Sequence, residues 1–381
     1  MKNPFVFGEV LDASHLVDRK SELSSVAGAL TAGGKLFLIG PRRYGKSSIL
    51  RAAREVSKDA TILLLNVEAY SDLNALSNAL VVASARATTG PLEKVGQTVR
   101  AAFSKLRPEL SYDIAQNTWS ASLGVAGAPE AGATNLVEAL NGLESLAGTL
   151  SRPLGLALDE FQRVIELGGA ASEAQIRAAI QLHSKVGYVF AGSKTRVLSD
   201  MISNAERPFY RLGSALFLSE IPRPDFREFL GQTFAVSGFA IDEEAIETLL
   251  DLAVDVPYNV QLLAHTAWNQ ALDTRVVTRE VVESSLDVLC AQSDPFYSQL
   301  WLLLTPIQGR VLQLVLQGGS DGLFGESATR KVGKNPTAIQ RALIALQDKD
   351  VLRLETRGGV ATWKLEDPFF GAWIGRTIAP L

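Results

Sequence analysis

Residues 40 to 47 read Gly-Pro-Arg-Arg-Tyr-Gly-Lys-Ser, a full match to the phosphate-binding pattern G-x-x-x-x-G-K-S. The apolar run 35–39 before it suits a buried strand, and residues 48–53 after it suit the start of a helix. A strand, a glycine-rich turn and a helix in this order aim backbone N–H groups and the positive end of the helix dipole at a polyphosphate. The stretch therefore predicts a nucleotide-binding α/β domain rather than a turn with no ligand.

The side chains of this loop have separate predicted tasks. Lys46 is predicted to reach the β and γ phosphates, and the Ser47 hydroxyl is predicted to hold Mg²⁺. Arg42 and Arg43 can contact phosphate, contact a neighbouring protomer or lie in solvent, and the sequence does not choose among these. The predicted nucleotide-contacting positions are Gly40, Pro41, Arg42, Arg43, Tyr44, Gly45, Lys46, Ser47 and Ser48.

A second apolar run ends in two carboxylates. Residues 154–158 read Leu-Gly-Leu-Ala-Leu and are followed by Asp159 and Glu160. A buried parallel strand would carry both acids to its carboxyl end, the edge where α/β sheets bind ligands. Asp159 is the predicted partner of Mg²⁺, and Glu160 is the predicted general base for water. Many strands end in a solvated acidic turn, but beside a phosphate loop the pair favours hydrolysis of a nucleoside triphosphate.

Composition indicates a globular protein with more than one domain. The chain has 381 residues, of which 47% are hydrophobic and 20% charged, and this length allows two or three domains. The formal net charge of −4 gives no overall case for nucleic acid binding. Because no run of eighteen apolar residues occurs, no membrane partner is expected. Glu9 and Asp12 near the N-terminus argue against a secretory signal.

Cysteine and histidine usage predicts neither thiol chemistry nor a zinc site. Cys290 is the single cysteine, so we expect no internal disulfide and a packed thiol in a reducing cytoplasm. His15, His183 and His265 are scattered without the spacing of zinc ligands.

Apolar runs alternate with helix-like stretches in the first part of the chain. This alternation predicts an α/β fold with a parallel, doubly wound sheet in a domain spanning residues 1–222. Glycines and prolines punctuate residues 88–134, which are predicted to form an irregular insertion with a small hairpin around 111–125. The predicted strands are 35–39, 61–67, 154–158, 187–193 and 215–218.

The pattern changes after Pro222 and Pro224, where the strand signal stops. Residues 223–293 show only helical periodicity and are predicted to form a helical lid domain. Residues 294–381 show three helices followed by a hairpin, the order of a winged helix-turn-helix. This last domain is predicted to report the state of the nucleotide or to contact DNA.

The ordered motifs resemble the archaeal-type ATPase family, a branch of the signal-transducing STAND NTPases related to AAA+ proteins. Residues 17–23, Val-Asp-Arg-Lys-Ser-Glu-Leu, are similar to its N-terminal signature, with Asp18 where the family has glycine. Residues 40–48 and Asp-Glu-Phe-Gln at 159–162 are close to the family form. Further similar segments are 191–193, 208–211, 257–263 and 363–370. In the third of these, Val256 precedes the proline where the family usually has glycine.

The resemblance implies ATP and Mg²⁺ as cofactors and adds four site residues. Ser193 is expected to sense the γ phosphate, and Arg211, with Arg207 as the alternative, to stabilise charge on it as an arginine finger. Arg19 and Pro257 are expected to contribute to nucleotide binding from the N-terminal signature and the lid. Adenine is favoured because the chain has no Asn-Lys-x-Asp segment that would recognise guanine.

Several of these residues also have plain structural interpretations. The segment around Arg211 can be an ordinary surface turn. Tyr258 and Trp268 are more typical of a helical core than of base stacking. Phe161 and Gln162 are interpreted as packing plus an amide that orients water, or as packing alone.

Three functions follow from the sequence. The first is an intracellular Mg²⁺-dependent ATPase that works as a conformational switch with a protein partner or a second copy of itself. The second is a DNA-binding ATPase that remodels or loads a partner on DNA, but ten basic and eight acidic residues from position 294 onward leave a balance of only +2. The third, a scaffold that holds nucleotide without turnover, is disfavoured by Glu160.

Overall fold

Five parallel strands and a separate helical region dominate the structure. It is a computed structural model that describes residues 2–11, 16–124, 132–193, 195–318, 322–357 and 360–380. These residues form two units. The N-terminal unit is Gly8–Ile221, and the C-terminal unit consists of residues 2–7 together with 222–380.

Residues 2–7, which we call the N-terminal arm, pack in the C-terminal unit. The side chain of Phe5 is 1% exposed, and its ring centroid lies 4.6 Å from that of Phe234. His265 Nδ1 donates a hydrogen bond to the carbonyl oxygen of Phe5 at 2.8 Å. The arm therefore lies outside the unit that carries residues 8–221, although the sequence places it in a domain of residues 1–222.

The N-terminal unit alternates strands with helices. Two short 3₁₀ segments, Val67–Ala69 and Ser104–Leu106, lie between its main elements. The main elements are α1 (Lys20–Thr31), β1 (Lys35–Ile39), α2 (Lys46–Val56), β2 (Thr61–Asn66), α3 (Leu73–Ala87), α4 (Leu92–Ala102), β3 (Pro108–Asp113), β4 (Thr118–Leu123), α5 (Gly132–Ala147), β5 (Leu154–Asp159), α6 (Arg163–Leu182), β6 (Val186–Gly192), α7 (Thr195–Ser203) and β7 (Ser214–Phe217).

The central sheet has the strand order β2-β5-β6-β1-β7, and all of its pairs are parallel. Both β5 and β6 are buried along their whole length, as expected for strands covered on two faces by crossover helices. The register places Ile39 beside Gly192 and Asn66 beside Asp159. The carboxyl ends of four neighbouring strands therefore lie along one edge of the sheet.

Each face of the sheet has its own apolar core. Phe37 and Ile39 of β1 join a core with α3 to α7, whereas Leu36 and Leu38 join a second core with α1 and α2. This division follows from the strand period, because successive side chains point to opposite faces. Helices on both faces of a parallel sheet confirm the predicted α/β, doubly wound fold.

The stretch 88–134, predicted to be irregular, is regular over most of its described part. It contains α4 and an antiparallel hairpin of β3 and β4, close to the hairpin predicted around 111–125. Val95, Val99 and Trp119 are buried in the same core as α3 and α5. The stretch therefore extends one face of the sheet domain.

The C-terminal unit is mainly helical up to residue 348. A two-residue parallel pair, β8 with β9, occurs where the sequence shows no strand pattern. The elements are α8 (Arg223–Val236), β8 (Ala240–Ile241), α9 (Glu243–Ala253), α10 (Pro257–Gln270), β9 (Val276–Val277), α11 (Arg279–Leu302), α12 (Pro306–Gly318), α13 (Glu326–Val332), α14 (Pro336–Asp348), β10 (Leu352–Arg357), β11 (Val360–Leu365) and α15 (Pro368–Thr377).

Three helices and a hairpin follow one another near the end of this unit. Asn335 caps α14, because its side chain accepts a hydrogen bond from the Ala338 N–H at 2.9 Å. Strands β10 and β11 then pair antiparallel, with Leu352 opposite Leu365. The order α12, α13, α14, β10, β11 is the one on which the winged helix interpretation depends. Among the described residues, no helix has both the length and the apolar content that crossing a bilayer requires.

A buried histidine connects two elements of the N-terminal unit. The Nδ1 atom of His183 lies 2.7 Å from the hydroxyl oxygen of Tyr188, and its Nε2 atom lies 3.1 Å from Oδ1 of Asn141. Burial lowers the pKa of His183, and this outweighs the opposing effect of the nearby Glu144 carboxylate. The folded protein therefore favours the neutral imidazole.

We expect the free energy of unfolding to fall as the pH drops from 7 to 5. Below a pH of about 6.5 the unfolded chain binds a proton at His183 that the folded protein resists, so stability rises with pH in this window. His183→Gln removes the titrating group, and urea denaturation at pH 7 and pH 5 should show a smaller pH effect in this variant. An unchanged pH effect would contradict the assignment.

Candidate nucleotide-binding site

The phosphate-loop sequence connects β1 to α2 with a backbone that depends on its glycines. Gly45, with φ +88°, immediately precedes α2, and a left-handed φ of this kind favours glycine. A Cβ atom added at Gly40 would lie 2.9 Å from Cβ of Leu218. Tyr44 is buried and Arg42 and Arg43 are exposed. The loop thus follows the backbone path that its sequence pattern requires.

Lys46 is the first residue of α2 and is only 5% exposed. Its Nζ atom donates hydrogen bonds of 2.8 Å to the carbonyl oxygens of Gly40 and Pro41. A buried ammonium needs acceptors around it, and the loop backbone provides them here. Phosphate oxygens in the same position would offer stronger, charged acceptors to the same donor.

Ser47 and Asp159 meet where β5 ends. Ser47 Oγ donates a hydrogen bond of 2.5 Å to Oδ2 of Asp159. Burial raises the pKa of Asp159, the Ser47 hydrogen bond partly offsets this effect, and the charge of Glu160 adds to it. A hydroxyl and a carboxylate are hard oxygen ligands that suit Mg²⁺ when waters and phosphate oxygens complete its coordination. The two side chains therefore fit the predicted metal.

Glu160 directly follows β5 and has a left-handed backbone, φ 52°. Its N–H donates to Oδ1 of Asp159 at 3.0 Å. Its Oε2 atom accepts hydrogen bonds from Ser193 Oγ at 2.8 Å and from Gln162 Nε2 at 2.5 Å. Ser193 follows β6, so the parallel pairing of β5 with β6 brings the predicted sensor to the predicted base.

Two predicted contact residues bind protein backbone instead. Arg19 is 3% exposed, and it donates to the carbonyl oxygen of Ser219 at 2.6 Å and pairs with Glu22 at 2.8 Å. The Ser48 hydroxyl oxygen accepts a hydrogen bond of 3.1 Å from the Leu11 N–H. Both side chains hold neighbouring segments of the N-terminal unit, and their contacts with nucleotide stay predictions.

Arg211 contacts its neighbour Tyr210, and Pro257 belongs to the C-terminal unit. Arg211 is exposed, and its guanidinium lies 5.0 Å from the ring centroid of Tyr210. Within the described ranges, no hydrogen bond or ion pair links it to Lys46 or Glu160. Pro257 is the first residue of α10 in the C-terminal unit. Their predicted roles at the nucleotide are not tested by these positions.

Solved structures match the chain, whereas no protein-family profile and no curated protein does. The Walker-type ATPase of Pyrococcus abyssi gives a TM-score of 0.67 at 19% identity, covering 98% of this chain and 99% of that one. The Aeropyrum pernix ORC2 protein, solved as ADPNP-ADP complexes, gives 0.58 at 14%, covering 98% and 97%. The Aeropyrum pernix ORC1 protein in complex with DNA gives 0.51 at 15%, covering 98% and 95%.

This chain shares the α/β fold of these structures. At these identities the likeness concerns the fold alone, and it extends over both units. The predicted fold class is therefore confirmed in its sheet domain and its helical region.

An ion pair that the sequence did not indicate lies near Arg211. The guanidinium of Arg207 binds Glu173 at 2.7 Å and Asp200 at 2.8 Å. Glu173 is 2% exposed, whereas Asp200 is 44% exposed. No motif relates positions 173 and 207, so only the packing of α6 in the structure reveals this pair.

We expect Arg207→Ala to lower the free energy of unfolding by about 3 kcal/mol, because it leaves the buried Glu173 carboxylate unpaired. Asp200→Ala is the matched control, since it removes the exposed partner and should cost less than about 1 kcal/mol. Chemical denaturation of the two variants measures the difference. Equal losses of unfolding free energy in the two variants would show that the buried ion pair stabilises the protein no more than the exposed one.

Proposed function

We propose that the protein binds Mg²⁺ and ATP, hydrolyses the ATP and uses it as a conformational switch of the STAND or AAA+ type. The observation that carries this proposal is the hydrogen bond between Glu160 and Ser193 beside the pair of Ser47 and Asp159. These four side chains and Lys46 come from three neighbouring strand ends. The Walker-type ATPase and the ADPNP-ADP complexes among the similar structures support ATP as the nucleotide.

Each side chain has a task in this reaction. Lys46 would bind the β and γ phosphates, and Ser47 with Asp159 would hold Mg²⁺, which neutralises phosphate charge when bound. Glu160 would accept a proton from the attacking water. Ser193 would donate its hydroxyl to the γ phosphate, and Arg211 would stabilise the charge that develops there.

The remaining predicted positions belong to the switch. Arg19, Arg42, Arg43, Tyr44 and Ser48 would shape the phosphate loop and its surroundings. Pro257, at the start of α10, would contribute from the helical lid of residues 223–293. The winged helix domain of residues 294–381 would then report the nucleotide state to a protein partner or a second copy of the chain.

Lys46→Ala and Glu160→Gln should separate binding from turnover. Lys46→Ala removes the buried cation at the phosphates, so we expect ATP binding to be lost. Glu160→Gln keeps the shape but removes the base, so ATP affinity should remain while hydrolysis falls by about a hundredfold or more. Phosphate release and the binding of a fluorescent ATP analogue measure the two effects. Parallel loss of binding and turnover in Glu160→Gln would assign Glu160 a structural role.

DNA remodelling is the second candidate, and one surface supports it. The exposed side chains of α14 include Thr337, Gln340 and Arg341, the early positions that a recognition helix presents to DNA. The ORC1 structure was solved in complex with DNA. Against this reading, Arg353 and Lys364 of the hairpin both pair with Glu355, at 2.8 Å. Basic residues neutralised within the protein contribute little to phosphate binding.

We expect the full-length protein to bind duplex DNA only weakly, with a Kd above about 1 μM at physiological salt and a steep salt dependence. Gel shifts with ATP and with ADP test this. Arg341→Ala is compared with Arg279→Ala, an exposed arginine of α11 that pairs with Glu244 and Glu283. Tight, sequence-selective binding that only Arg341→Ala abolishes would put DNA remodelling first.

A further inference from the structure

Gln162 holds the carboxylate of Glu160 from one side. It is 4% exposed and precedes α6. Its Nε2 atom and the Ser193 hydroxyl both donate to Oε2 of Glu160. Both hydrogen bonds end on Oε2, and no described side chain donates a hydrogen bond to Oε1 of Glu160. The two donors therefore fix the carboxylate through one oxygen and leave the other available.

The Gln162 amide packs against Gly192, whose lack of a side chain leaves room for it. A Cβ atom added at Gly192 would overlap Oε1 of Gln162, so the last residue of β6 has to lack a side chain for the amide to fit. Oε1 of Gln162 is itself buried and has no hydrogen-bond partner. Burying an amide oxygen without a hydrogen-bond partner costs free energy. The hydrogen bond from Nε2 of Gln162 to Glu160 is the polar contact that the buried amide makes.

Helix capping does not explain Gln162. It occupies the N-cap position of α6, but its side chain makes no capping hydrogen bond. A polar residue whose only purpose was to cap the helix would accept a hydrogen bond from the first turn. The amide instead points its donor at the predicted base.

We propose that Gln162 is a positioning residue that orients Glu160 for hydrolysis, an inference that rests on the proposed ATPase function. The Ser193 hydroxyl has one proton to donate, and when it serves the γ phosphate, Gln162 is the donor that remains on Oε2. Oε1 of Glu160 then takes a proton from water as the water oxygen bonds to the γ phosphorus. The bond from that phosphorus to the bridging oxygen breaks, and ADP leaves with the electron pair.

Gln162→Met tests the role of the donor, because methionine has a similar volume and no N–H group. We expect kcat to fall by about tenfold or more, with KM for ATP changed by less than about threefold. Gln162→Ala should lose as much. In a Glu160→Gln background, Gln162→Met should cause no further loss, since there is no base left to orient. Wild-type kcat in Gln162→Met would show that the residue only fills space and would overturn the inference.

Crystal structures of nucleotide-free Ser193→Ala and Ser193→Ala/Gln162→Met test the same point without turnover, because Ser193→Ala leaves Gln162 as the donor to Oε2. We expect Oε2 of Glu160 to stay within hydrogen-bond distance of Nε2 of Gln162 in the single variant, and the carboxylate to leave this position in the double variant. A carboxylate in the same position in both variants would overturn the inference, whether or not ATP is hydrolysed. Absence of hydrolysis by the wild type would instead refute the proposed function, and the displacement of Glu160 would then decide the role of Gln162 alone.

Discussion

Parallel pairing of β6 with both β1 and β5 is the constraint on which the candidate site depends. It places Ile39, the residue before the phosphate loop, beside Gly192, and it places Leu158 beside Phe190. The loop, the two acids and Ser193 therefore follow three adjacent strands at one edge of the sheet. Because the strands are buried on both faces, a slip in register would disturb two cores at once. Double burial therefore fixes the register that brings these residues together.

Burial and like charge make the ionised form of Asp159 unfavourable in the candidate site. Burial raises the pKa of Asp159 and the neighbouring Glu160 adds like charge, whereas the Ser47 hydrogen bond and the charge of Lys46 act in the opposite direction. A divalent cation would add positive charge beside the two carboxylates, and a triphosphate would add charged acceptors for Lys46. Ligand binding can therefore stabilise the folded protein through groups that are costly to bury, in addition to serving catalysis.

Local patterns in the sequence were sufficient to predict the strands of the central sheet. Contacts between residues far apart in the sequence could not be predicted from them. The strands at 35–39 and 154–159 were predictable because continuous apolar runs end at turn-forming residues. The extent of α11 was not, since the domain boundary predicted after residue 293 falls inside this helix, which continues through Pro295 to Leu302. In the site, Lys46 and Glu160 followed from motifs, whereas the seat of Gln162 against Gly192 depends on tertiary packing that no spacing rule describes.

The N-terminal arm makes the C-terminal unit discontinuous in sequence. Phe5 packs against Phe229 and Phe234, residues that are synthesised only after the whole N-terminal unit has been made. During translation the arm is made before α8, so Phe5 lacks these packing partners until α8 has been synthesised. A fragment that begins at Pro222 would likewise leave part of its core exposed to water. The two units therefore cannot be separated by a single cut, and a fragment that keeps the whole C-terminal core has to include residues from both sides of the N-terminal unit.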